Sequence, residues 1–96
     1  MTRDELLAEL HELERLYVEH GENQREETLQ LKNKLRLELS DRYLRLKPHI
    51  KKMTRLQWYD PVYSYAITGN KDYIETVRQD LAQIIRGCAA PDAGEG

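Results

Sequence analysis

The stretch LQLKNKLRLELSDRYLRLKPHI, residues 29–50, decides the fold because it carries two periodicities at once. Leu29, Leu31, Leu35, Leu37 and Leu39 all fall on odd positions, the alternation of a strand. Leu31, Leu35, Leu39, Tyr43 and Leu46 are spaced 4, 4, 4 and 3, the stripe of an amphipathic helix. Composition breaks the tie. The stretch is built from Leu, Lys, Arg, Glu and Gln, which lose little rotamer freedom in a helix, and it has almost no β-branched residues. The expected element is a helix starting at an Asn23/Glu26 capping pair. Pro48 lacks an amide donor and disfavours helical geometry at Lys47, so the helix should end or kink there. Ile50, Met53 and Leu56 then carry the stripe on toward Trp58.

Upstream, Thr2 and Glu5 form a capping box, in which each side chain satisfies the other residue's amide. Leu6, Leu10, Leu13 and Tyr17 follow at spacings of 4, 3 and 4, with Leu7 and Val18 widening the stripe. Gly21 reads as the residue that ends this helix in the left-handed conformation. A link that short forces the two helices antiparallel. Downstream, Asp60-Pro61 is an N-cap followed by proline at the first helical position. A short helix with Val62, Tyr65 and Ala66 should stop at Gly69. Asn70 then caps a last helix with Ile74, Val77, Leu81, Ile84 and Ile85, ended by Gly87. The expected fold is all-α: a long antiparallel hairpin kinked near Pro48 plus two shorter C-terminal helices. Residues 1–87 make one domain, and residues 88–96 read as a disordered tail that leaves Cys88 exposed.

Ninety-six residues, 40% of them hydrophobic and 33% charged, suffice for one small core. No apolar run is long enough to span a membrane, and the N-terminus lacks an apolar leader, which points to the cytoplasm. One cysteine excludes an internal disulfide framework. The net charge of −2 conceals three blocks. Residues 1–30 set three arginines against nine acids, a net of −6; residues 31–55 are net +7; residues 56–96 are net −3. Glu9, Glu12, Glu19, Glu26 and Glu27 can neutralise Lys32, Arg36 and Arg42 across the hairpin, or the blocks can serve outside partners.

Catalysis needs a constellation of groups, and none emerges. His11, His20 and His49 fit neither a helical zinc motif nor the Glu-x-x-His pairs of di-iron bundles, and read as solvated or boundary residues. No glycine-rich phosphate loop exists, and Cys88 has no base held beside it. No enzymatic activity, cofactor or metal is expected. Three features remain. Lys47, Lys51 and Arg55 form a basic column opposite the apolar stripe, with Arg45 and Lys52 beside it. Trp58, Tyr59, Tyr63, Tyr65 and Tyr73 cluster just beyond, as either core or interface. Leu37 and Leu44 sit seven residues apart, away from the main stripe, and suggest a subunit interface.

The run from Tyr65 to Ile74 resembles the Tyr-x-x-Ser-Gly-Asp-x-x-Tyr-Ile stretch of small IreB-type bacterial regulators, with Tyr59-Asp60-Pro61 echoing a preceding Tyr-Asn-Pro. The resemblance implies a helical, dimeric protein acting through contacts with a signalling kinase. The spacing from Pro61 to Tyr65 is shorter than in that family, the long hairpin has no counterpart there, and a helix, a glycine stop and a new cap produce the same pattern unaided.

The reading is therefore a non-enzymatic protein–protein interaction module, a small regulator, adaptor or inhibitor of the kind found among phage or plasmid accessory proteins, and a homodimer through Leu37 and Leu44. Its partner surface is Lys47, Lys51, Arg55, Trp58, Tyr59 and Tyr63. The alternative is a nucleic-acid-binding regulator using the basic 32–55 block, with the cations on phosphate and Trp58 or Tyr59 stacked on a base.

Overall fold

A computed structural model describes residues 1–22, 28–55, 57–58 and 60–89. All regular structure among them is helical: α1 (Arg3–Glu22), α2 (Leu29–Met53), α3 (Pro61–Thr68) and α4 (Tyr73–Ala89). The capping box opens α1 as expected. The Thr2 amide donates to Glu5 Oε1 at 3.0 Å, and the Glu5 amide donates to Thr2 Oγ1 at 3.2 Å. Leu6, Leu10, Leu13 and Tyr17 are buried, and His20 continues their spacing into the core. Glu9 pairs with Arg42 and Tyr17 meets Ser40, so partners in α2 fall in number as those in α1 rise. That is the antiparallel hairpin. Helix α4 packs on α1 and α3, and α3 bridges α2 and α4.

Several boundaries differ from the sequence reading, each for a packing reason. The described N-cap of α2 is Thr28, whose hydroxyl accepts from the Leu31 amide at 3.2 Å; Asn23 and Glu26 lie outside the described residues. Helix α2 continues through Pro48, the course the continuing apolar stripe anticipated, and ends at Met53. Leu44, whose carbonyl loses its amide partner at Pro48, lies with Pro48 on the exposed side, while Leu46 and Ile50 stay buried. The helix stops at Met53, short of Trp58, because Thr54 turns to an extended conformation and its amide closes on the Ile50 carbonyl.

Gly21 does not end α1. It sits inside the helix where α1 meets α4, and a Cβ there would lie 3.0 Å from Ile74 Cγ2. The residue is small because the helices approach closely. Gly69 does act as expected, at φ +65°. Gly87 does not stop α4, which continues to Ala89 and carries Cys88 into the core, fully buried. The thiol is thus neither exposed nor part of a tail, and residues 90–96 lie outside the described residues.

Candidate functional site

The basic column and the aromatic cluster meet at one place, the junction between the end of α2 and the start of α3. Lys47, Lys51, Thr54, Arg55, Gln57, Trp58 and Asp60 line a cleft of about 640 Å³ there. Its floor is set by the core. Trp58 packs against the apolar cluster, and its indole Nε1 donates to the Tyr43 hydroxyl at 2.9 Å. Lys47 and Lys51 sit one turn apart on α2 and share a face running into the cleft, whereas Arg55 lies past the end of the helix, beyond the extended Thr54, so the expected i, i+4, i+8 column holds only for its first two members. Lys51 and Arg55 are exposed and have no acidic partner among the described residues.

Lys47 differs. Its ammonium donates to Asp60 Oδ2, and both side chains are largely covered. Asp60 occupies the N-cap of α3, yet its side chain makes no capping hydrogen bond, because Lys47 holds it. The column read as three parallel cations is therefore two outward cations and one inward ion pair.

Of the other expected partner-binding residues, Tyr63 stands apart on the outer face of α3, 56% exposed beside Ile67, and does not line the cleft. Tyr59 lies outside the described residues. Tyr65 belongs to the core, in edge contact with Tyr17 at 6.4 Å between ring centroids, and Tyr73 is half-buried against it. Among the described residues of the aromatic segment, Tyr65 is core, Trp58 and Tyr73 lie at the core's boundary and Tyr63 is exposed. Leu37 and Leu44 are 54% and 43% exposed on α2.

Two polar features were missed by the sequence reading. Asp80, only 7% exposed, lies on the buried side of α4 within electrostatic reach of Lys47 and Asp60. Its Oδ2 and Asp60 Oδ1 are buried acceptors with no hydrogen-bond partner. Burial, and then the nearby Asp60 charge, push the Asp80 carboxyl up to about 7, against the opposing pull of Lys47. Burial also raises the Tyr43 phenol far above its ordinary range, with Asp60 and Asp80 adding to the shift, so it stays protonated. The signal was available: Val77, Asp80 and Ile84 are spaced 3 and 4, which places an acid on the apolar stripe. His20 is the second miss. It is a core residue whose Nε2 lies 2.5 Å from the Tyr65 hydroxyl, and not the boundary histidine expected from its type.

The hairpin charges also sort differently from the expectation. Glu9 does reach Arg42, at 3.3 Å. Glu12 and Glu19 instead clasp Arg15 within α1. Arg36 turns to α3, where its guanidinium donates to the Tyr65 and Ala66 carbonyls. Glu26 and Glu27 lie outside the described residues. Among the described residues no group of three or more His, Cys, Asp or Glu is placed to hold a metal, and no helix is long and apolar enough to cross a membrane. No protein-family model matches the chain, and no match is found among curated proteins or solved structures.

Proposed function

We propose that the protein is a non-enzymatic interaction module, a small cytoplasmic regulator, adaptor or inhibitor, that docks an acidic segment of a partner protein in the cleft at the end of α2. The observation that carries this is the cleft itself: two exposed cations, Lys51 and Arg55, beside an indole whose other face is anchored in the core. An aromatic anchor with flanking charge is the usual make-up of a binding hot spot. Electrostatic complementarity then selects the partner's sign and speeds encounter. A nucleic-acid ligand is the weaker reading. Lys47 is held by Asp60, which leaves a shorter run of outward cations to follow a phosphate backbone.

The test is affinity capture from the native host with a nuclease-treated control, comparing wild type with Lys51→Glu/Arg55→Glu. The expected result is a set of protein partners that survive nuclease and vanish in the double variant, with the helical circular dichroism unchanged. Recovery of nucleic acid alone, with tight binding at about 0.15 M salt, would move the assignment to the alternative.

The same proposal includes a homodimer. Leu37 and Leu44 lie on one exposed face of α2, where a second copy can pair isologously, each leucine meeting the other copy's equivalent patch. Light scattering should give the mass of two chains, and Leu37→Glu/Leu44→Glu the mass of one. A wild type that is monomeric at high micromolar concentration would remove the dimer.

A further inference from the structure

We propose that the Asp60–Asp80 carboxylate pair behind the cleft links binding of an acidic ligand there to protonation of Asp80, so that the docking surface tightens as pH falls. This rests on reading the cleft as the docking surface and adds its regulation.

Three elements bring three charges together. Lys47 comes from α2, Asp60 from the N-cap of α3 and Asp80 from α4. Among the described residues the Lys47 ammonium pairs with Asp60 alone, and Asp80 feels both charges without touching the ammonium. Asp60 holds it through Oδ2, and Asp80 Oδ2 is left buried with no donor. A buried acceptor without a partner is costly, and for a carboxyl group a proton is the cheapest remedy. Asp80 therefore carries its proton to near neutrality.

Lys47 belongs to both systems, since it lines the cleft and also compensates the acids behind it. With Asp80 protonated, Lys47, Lys51 and Arg55 oppose Asp60 alone, and the junction presents a net of two positive charges. With Asp80 ionised, the net falls to one. An incoming carboxylate thus meets a stronger field below the Asp80 midpoint. By linkage the bound anion must in turn favour the proton on Asp80.

The groups facing Asp80 from the surrounding elements leave it as the titrating member. From α2 come Tyr43, whose phenol burial raises so that it stays protonated, and Lys47, held by Asp60. From α1, the Tyr17 phenol is raised by burial and feels Asp60. On α4, Arg86 stands with Asp80 at the rim of a second, smaller cleft formed with Pro61, Thr76, Gln79 and Gln83. The chain's three histidines, His11, His20 and His49, are retained in an Asp80 variant and so act as an internal control for any other pH-dependent effect.

The chain's single tryptophan lies in the cleft, so its fluorescence reports occupancy. The probe is a hexaglutamate peptide at low ionic strength, whose side chains are ionised at both pH 6 and pH 8. Wild type should bind at least about threefold more tightly at pH 6 than at pH 8, the scale of one partly screened charge. Asp80→Asn should bind equally at both, near the wild-type pH 6 value; Asp80→Leu, which extends the apolar stripe, serves if the amide variant misfolds. Binding with no pH dependence in wild type, or with the same dependence in the Asp80 variants, would overturn the linkage while leaving the cleft as a docking surface. No binding by wild type at either pH would overturn the docking reading and the linkage with it.

Discussion

The two halves of α2 carry the same kind of sequence and meet opposite fates. Residues 29–38 hold four leucines and bury none of them, whereas residues 39–53 bury Leu39, Ser40, Tyr43, Leu46 and Ile50. Leu31 and Leu35 stand on the same helical stripe as Leu39 and Tyr43, so periodicity does not distinguish them. The neighbours do. Near its C-terminus α1 turns its contacts elsewhere: His20 meets Tyr65 of α3, and Gly21 lies against Ile74 of α4. The first half of α2 is left with one described tie, the Arg36 guanidinium on the last carbonyls of α3. A stripe states which side chains share a face; burial requires another element to lie along it.

The strongest way to break this contrast is to truncate one residue in each half. Ile50→Ala should cost about 2–5 kcal/mol in urea denaturation, as a fully buried aliphatic side chain does. A loss below 1 kcal/mol would mean that the second half is not core.

The next effect concerns the charge cluster behind that buried half. The Asp80 carboxyl ionises at about 7 when folded and near its ordinary value, about 4, when unfolded. The stability from its bound proton is therefore full below about pH 4, declines as pH rises toward 7, and is lost above. Asp80→Asn should flatten this decline, gaining on the order of 2–4 kcal/mol on wild type between pH 4 and pH 8. Parallel stability profiles for the two proteins would exclude a raised Asp80.

Gly69→Ala sharpens the contrast at the single tie. The residue sits at φ +65°, and an added Cβ would press on the Arg36 guanidinium at 3.3 Å. A loss of about 1–3 kcal/mol is expected, with faster amide exchange across residues 29–38 than across 39–50. Uniform exchange along α2 would show that Arg36 anchors nothing in particular.

Leu31→Ala should be the smallest change, within about 0.5 kcal/mol in a monomer. A larger, concentration-dependent loss would show that the exposed half is covered in solution, as the proposed dimer requires.

Local features were legible in the sequence: the Thr2/Glu5 box, the Gly69 stop and the apolar stripe of α4 depend on residues within a few positions of one another. Gly21 misled because glycine serves both turns and close helix contacts, and only the position of Ile74 reveals which. Lys47, Lys51, Arg55 and Trp58 were found together because helical spacing fixes the first two, and Arg55 and Trp58 follow within a few residues of the helix end. The pairing of Lys47 with Asp60 depends on the path of residues 54–60, which no periodicity describes. Asp80 was legible as an acid on an apolar stripe; its companions in α2 were not.

Cys88 gives the fold a built-in clock. It is the chain's single thiol, it has no exposed surface, and burial raises its ionisation further from neutrality. An alkylating reagent can reach it only when the last turn of α4 lifts from the core. Pulsed labelling followed by mass measurement would then count openings of that turn, site-specifically and without an introduced probe, and its denaturant dependence would separate local fraying from global unfolding.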